Sequence, residues 1–409
     1  MMSKLIVENI NLIDGSGADV QENVTVVIED GKFTHIGSAV DKDGTEVIDG
    51  QGKYMLPGMI DTHVHLSTEF KPLADRVATP FSYHFYEAVQ YAERTINAGV
   101  TTVRDALGSS LGFKQAISDG IIKGPRMQVS INALSITGGH GDGYNYSGID
   151  LGLVRSYEGM PDGIADGVEE VRKKTRELLR AGADVIKVMA TGGVSSPTDH
   201  PQFTQYSLDE LKVIVEEAQF RNGVKVMAHA QGLEGIKNCV EAGIHSIEHG
   251  IYLDDEVIEK MKEKGTYLVP TLLAPVSVIE FADELGISAV GLEKSREVME
   301  DHKASFKKAY DSGVKIAMGT DAGVFKHGTN LRELELMVES GATPMDAIVI
   351  STKNAAECME IENLGLVKKD YIADFILTDK NPLEDIGILK NNDEIKVVAK
   401  DGEIFKNIL

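Results

Sequence analysis

The stretch "GMIDTHVHL", residues 58–66, is an apolar run that ends in two histidines two positions apart. In an extended chain residues i and i+2 share a face, so His63 and His65 project together while Val64 faces the other way. Two imidazoles side by side form half of a zinc site, which needs a roughly tetrahedral set of N, O or S ligands. A short His-x-His pattern also arises by chance as the polar end of a strand. The other ligands have to come from the rest of the chain.

The same kind of run recurs. "GVTTVRDA", "RMQVSINAL", "ADVIKVMATGG", "VKVMAHA", "IHSIEHG", "TYLVPTLLA" and "VKIAMGTDAG" alternate with helix-length periodic segments. Among those helices are 163–181 and 207–221, the second opening on Ser-x-x-Glu, a capping box. With the first run counted, there are eight strands. Repeated strand–helix alternation implies parallel strands and predicts an α/β fold, a (β/α)8 TIM-like barrel over residues 58–362. The flanks read differently. Residues 1–57 and 363–409 contain short strands with Asp-Gly turns, as in "NVTVVIEDGKFTHIG" and "IKVVAKDGEIFK", the signature of hairpins. These distant segments are expected to pair into one small discontinuous β domain beside the barrel.

An apolar content of 42% over 409 residues suffices for a sizeable core. The formal charge of −23, with no Lys/Arg cluster, argues against nucleic acid and against an anionic membrane surface. Cys239 and Cys358 make neither a disulfide framework nor a C-x-x-C pair, and read as buried small hydrophobes. The start, "MMSKLIVENINLI", lacks a continuous secretory apolar region. No apolar run reaches the ~20 residues of a membrane helix. A cytoplasmic protein acting on a small molecule is expected, with assembly into a homo-oligomer left open.

Most of the barrel strands carry a polar residue at or near the C-terminal end: His63 and His65, then Lys187, His229, His249 and Asp321. The third strand runs into "TGGHGDGYNYSG", which holds His140. Each has a bland alternative. A strand histidine is more often a hydrogen-bonded core residue, Lys187 could snorkel or pair with a carboxylate, and Asp321 could cap a helix. Barrel active sites lie at the C-terminal face, so all of these converge in one mouth. One metal site explains them better than six coincidences.

This constellation resembles the amidohydrolase superfamily in its binuclear form, and the flanking strands resemble that superfamily's split β-sandwich. "ADVIKVMATGG", "AHAQGLEGIKNCVEAGIHSIEHG" and "ADFILTDKNPLEDI" are similar to its Xaa-Pro dipeptidase-like branch, near the imidazolonepropionase-related proteins. The resemblance implies that Lys187 is carboxylated by CO2 to a carbamate bridging two divalent metals, usually zinc. His63, His65 and Asp321 would then hold the first ion, and His229 and His249 the second. A buried lysine has a lowered pKa, so its neutral amine is available to CO2.

The implied activity is hydrolysis of an amide C–N bond by a metal-bridging hydroxide, with dipeptides or N-acyl amino acids as substrates. Asp321 would take the proton and pass it to the leaving nitrogen. His140 would hydrogen-bond the tetrahedral oxyanion; its alternative is a solvated loop histidine. His200 and Tyr206 are placed near the mouth, and Arg155 could clamp a carboxylate bidentately. Gln231 stands where some dipeptidase-like relatives have a tyrosine, which departs from a strict Xaa-Pro pattern. Two other readings remain: a cyclic-amide hydrolase or deaminase of the imidazolonepropionase kind, which Lys187 disfavours, and a non-catalytic ligand-binding barrel.

Overall fold

The computed structural model describes residues 4–42, 44–144, 146–148, 150, 156–194 and 199–409. Strands β1 (Lys4–Leu12), β2 (Gln21–Glu29), β3 (Lys32–Gly37), β4 (Glu46–Asp49) and β5 (Tyr54–Pro57) open the chain. In β2, Val24, Val26 and Ile28 alternate onto one face and enter a core shared with Leu5, Val7, Phe33 and Phe375. Asp30 and Gly31 both take positive φ, 50° and 76°, the two-residue turn that matches strand twist. It pairs Glu29 with Lys32.

The C-terminal strands β14 (Phe375–Thr378), β15 (Ile395–Lys400) and β16 (Glu403–Asn407) complete the same sheet. Its order is β16-β15-β14-β5-β1-β2-β3, with β4 beside β1. The expected union of the two termini is therefore a single eight-stranded sheet. That sheet curls. β3 and β14 stand four places apart in the order, yet the Phe33 and Phe375 rings lie 6.5 Å from each other. In a flat sheet that separation would be roughly 19 Å. Phe33 also exchanges backbone hydrogen bonds with residues 370 and 371, just ahead of β14.

Between the termini, β6 (Met59–Val64), β7 (Val100–Asp105) and β8 (Arg126–Val129) form a parallel sheet. A second parallel sheet runs β9 (Ala133–Leu134), β10 (Val185–Met189), β11 (Lys225–Ala230), β12 (Ser246–His249) and β13 (Tyr267–Val269). Helices pack outside them and seal the main core, which includes Val64, Val103, Ile186, Ala228 and Ile247. The arrangement is that of a TIM-like barrel, but regular pairing is not continuous around it. The third expected strand is broken between β8 and β9. There the Asp184 N–H donates to the Val129 carbonyl and carries the contact to β10.

The eighth expected strand, "VKIAMGTDAG", is not a regular strand among the described residues. It touches both neighbours through isolated bridges, Leu268 with Ile316 and Val64 with Ala322. Asp321 within it has φ of 66°, which extended structure cannot accommodate.

The helix expected over 163–181 is found at Gly167–Arg180. Its first residues are held extended instead: the Ser135 N–H donates to the Gly163 carbonyl and the Ala165 N–H to that of Ser135. The capping box is as expected, with Ser207 and Glu210 satisfying each other's backbone ahead of Leu208–Phe220. Both cysteines are buried and free. Among the described residues no helix is long and apolar enough to cross a membrane.

Candidate metal centre

His63 and His65 leave the end of β6 on one face, their rings 5.6 Å apart, while Val64 packs into the main core. Lys187 projects inward from β10 and is 1% exposed, with Nζ 3.4 Å from His63 Nε2. His229 ends β11. His249 ends β12 with φ of 71°, a conformation that costs a non-glycine residue of order 1 kcal/mol or more. Strict alternation would turn it away from Glu248. The positive φ breaks the alternation, so that both side chains enter the interior. Asp321 reaches the same place from its own left-handed position.

Each of the four histidines has one ring nitrogen anchored. His63 Nδ1–H donates to Glu248 Oε2 at 2.7 Å, and His65 Nδ1–H to the Leu107 carbonyl at 3.1 Å. His229 Nε2–H donates to the Gly192 carbonyl at 3.0 Å, and His249 Nδ1 shares a hydrogen bond with the Thr271 hydroxyl at 2.7 Å. The other nitrogen of the His63 and His229 rings is left as a lone pair, while His65 Nε2 faces the Asp321 carboxylate at 2.9 Å. Such an anchor fixes tautomer and ring orientation in metal-binding histidines.

The rings crowd together, His229 and His249 at 4.6 Å and His63 and His249 at 5.2 Å. Asp321 Oδ1 lies 2.9 Å from His65 Nε2 and 3.4 Å from His63 Nε2. One donor atom each from His63, His249 and Asp321 fall within 4.8 Å of one another.

Protonation suits the same use. Burial, then neighbouring positive groups, push His229 and His249 well below the usual histidine range. Burial also lowers Lys187, to about 8, so that roughly a tenth of it is neutral amine at pH 7. Burial acts to raise Asp321, but the bonds from His63 and His65 outweigh it and hold the carboxyl well below its ordinary value. Neutral imidazoles at His229 and His249, an ionised carboxylate and an available amine are what a divalent ion requires of its ligands; at His65 burial acts to lower the ring, but the Asp321 carboxylate outweighs it and raises it. The donor set, N and O with no sulfur, fits zinc and similar ions.

Two residues missed by sequence reasoning support this set. Glu248 is fully buried between His63 and Arg104, whose Nη2 lies 3.1 Å from Glu248 Oε1. Burial would raise the Glu248 carboxyl, but the Arg104 charge and the His63 bond keep it below the usual range. Asp61, two residues before His63, accepts from Thr320 Oγ1 at 2.6 Å and Asn330 Nδ2 at 2.8 Å, tying the Asp321 segment to β6. The signal available beforehand was an acid inside an otherwise buried strand, in "MIDTH" and "SIEHG" alike.

A cavity of about 210 Å³ opens over these groups. His140 and Gln231 line it. The His140 ring stacks on His229 at 4.4 Å, and its Nδ1 lies 3.2 Å from Asp199 Oδ2. Tyr206 and His200 do not line it. Tyr206 is 1% exposed and its hydroxyl donates to the Ala165 carbonyl, so it is a structural side chain of the barrel wall. His200 Nδ1 accepts from the Gln202 N–H, and its ring packs on Phe203. Arg155 lies outside the described residues. Arg76, from the short helix Leu73–Ala78, is instead an arginine on the cavity rim.

The amidohydrolase family model matches residues 54–405. The chain is 36% identical over 416 aligned residues to ochratoxinase of Aspergillus niger, covering 97% of this chain and 85% of that protein. It is similar to the crystal structure of a Xaa-Pro dipeptidase with methionine bound in the active site, at a TM-score of 0.89 and 34% identity, covering 99% and 100% of the two chains. It is also similar to a prolidase complexed with N-methylphosphonate-L-proline, at a TM-score of 0.92 and 32% identity over 99% and 100%.

Proposed function

Because the chain belongs to the amidohydrolase family and is a hydrolase of carbon–nitrogen bonds, we propose that it cleaves the amide bond of dipeptides or N-acyl amino acids. The centre we infer would take two zinc ions, held by a carbamate on Lys187 together with the neighbouring histidines and Asp321. The observation that carries this reading is Lys187 itself, a buried amine with a depressed pKa and, among the described residues, no hydrogen bond to a carboxylate, set among four histidines that each have one ring nitrogen anchored. The amine adds CO2 and releases a proton, leaving a carbamate whose two oxygens suit two cations. His63, His65 and Asp321 would hold one ion, and His229 and His249 the other. When bound, such a pair supplies an activated water near neutral pH and polarises the amide carbonyl.

The protein's own groups handle the protons. Asp321, ionised and hydrogen-bonded to His65, accepts the proton of the attacking water and returns it to the leaving nitrogen. His140 donates from Nε2 to the developing oxyanion. Asp199, with Oδ2 3.2 Å from His140 Nδ1, holds the ring in place. Relatives named for an Xaa-Pro dipeptide and for ochratoxin support the substrate class. We also read the two parallel sheets and the segment 315–322 as a closed barrel over residues 58–362. The curled terminal sheet, residues 1–57 and 363–409, is then its sandwich domain.

Asp321→Asn tests the reading. An amide can still coordinate weakly but cannot accept the proton, so turnover on a dipeptide and N-acyl amino acid panel should vanish while metal content falls only partly. Elemental analysis of the wild type should give about two ions per chain. A single ion in fully active protein, or wild-type turnover in Asp321→Asn, would overturn it.

A further inference from the structure

Two buried acceptors in the cavity wall have no partner among the described residues. Gln231 is 5% exposed, and its Oε1 bonds to nothing among the described residues. His302, on the helix Ala289–Asp311, is 1% exposed, and its Nδ1 is likewise unmet. The tautomer of His302 follows from its other nitrogen. Nε2 faces the His249 carbonyl at 2.9 Å and the Pro270 carbonyl at 2.6 Å. Carbonyls only accept, so Nε2 carries the hydrogen and Nδ1 the lone pair. Both side chains contribute to the cavity that holds the metal ligands. Both are tied to one stretch of backbone, since the Gln231 carbonyl accepts from the Tyr252 N–H at 3.1 Å, three residues after His249.

Buried polar atoms are nearly always satisfied, and an unmet one in a binding site marks where a ligand supplies the missing group. Here the missing groups are donors. We propose that this wall receives the α-ammonium of the substrate, so that dipeptides with a free amino terminus are preferred over N-acyl amino acids. The inference rests on the amide-hydrolase reading above and chooses between its two substrate classes. An ammonium brings three donors and no acceptor. An N-acyl amino acid, aligned on its scissile amide, has no amine at that position and presents only carbon and hydrogen there, so both acceptors would stay unmet.

The test compares two ligands without an amide bond: L-methionine, and 4-(methylthio)butanoic acid, which is methionine lacking the amino group. Equilibrium binding of each to the metal-loaded protein is measured by calorimetry. A hydrogen-bonded charged group predicts tighter binding of methionine, on the order of tenfold or more. Gln231→Leu should shrink that preference and leave the affinity for the deaminated acid unchanged. Equal or reversed affinities in the wild type overturn the proposal, whether or not the variant folds. Turnover of free-amino dipeptides and N-acetyl amino acids is measured alongside. Hydrolysis of neither, with the binding preference intact, overturns amide hydrolysis but keeps the ammonium site. Faster hydrolysis of the N-acetyl compounds keeps amide hydrolysis but overturns the ammonium site.

Discussion

Replacing Glu248 by glutamine keeps the shape of the side chain and removes its charge, and two separate losses should follow. The first is in stability. Arg104 is 1% exposed and Glu248 is fully buried, so the guanidinium would lose its carboxylate partner inside the core. Breaking a buried pair from one side costs about 3–5 kcal/mol. Arg104 keeps the Thr62 carbonyl at 2.7 Å and Ser246 Oγ at 3.2 Å, which places the expected loss near the lower end, about 3 kcal/mol.

The second loss is at the metal centre. Glu248 accepts from His63 Nδ1–H through one oxygen and from Arg104 through the other. A glutamine amide has only one accepting end, so either orientation sets a donor against a donor. If the NH2 group faces His63, the imidazole relieves the conflict by moving its proton to Nε2, the nitrogen that faces Lys187 and Asp321. The ligand lone pair is then gone. Losing such an anchor costs 10- to 100-fold in metal affinity or activity, on the order seen for comparable sites. Urea unfolding and elemental analysis on the same preparation read the two losses separately. A Glu248→Gln protein with the wild-type midpoint and a full metal complement would refute the reasoning.

Lys187→Ala should lose most activity and regain part of it with acetate or propionate, whose carboxylate replaces the carbamate; failure of rescue in protein that retains both metals counts against a carbamate. Gly193→Ala should mimic His140→Ala, because a Cβ at that position would lie 2.3 Å from His140 Cε1 and must drive the ring off His229. Both variants should lose on the order of a hundredfold in turnover with metals retained, and a fully active Gly193→Ala would show that the stacked position is unnecessary. His245, His302 and His327 are each pushed down to about 4 by burial. Their unfolded value is near 6.5, so in between the unfolded chain binds more protons than the folded one. Stability is therefore fully present above about pH 6.5 and is lost as pH falls toward about 4, at about 1.4 kcal/mol per unit for each histidine. Urea midpoints at pH 7 and pH 5 check this, and a loss smaller than a single histidine would give defeats it.

What the sequence by itself determined is local. Alternation placed His63 and His65 on one face, Asp-Gly pairs marked the turns at Asp30 and Asp401, and Ser207 with Glu210 opened a helix where expected. Repetition of strand and helix pointed to the parallel arrangement, because each unit reports its own periodicity. Tertiary structure alone decided which buried polar groups meet. Arg104 and Glu248 are 144 positions apart, and nothing in either strand announces the other. Tyr206, expected near the mouth, is spent on the Ala165 carbonyl, while Gln231, singled out only as a departure from a strict Xaa-Pro pattern, lines the cavity. The positive φ values at His249 and Asp321, against the alternation of their own segments, are likewise imposed from outside. A pattern of polar and apolar residues fixes which face a side chain takes in regular backbone. Where the backbone leaves regularity to bring ligands together, only the packing of the whole barrel sets the direction.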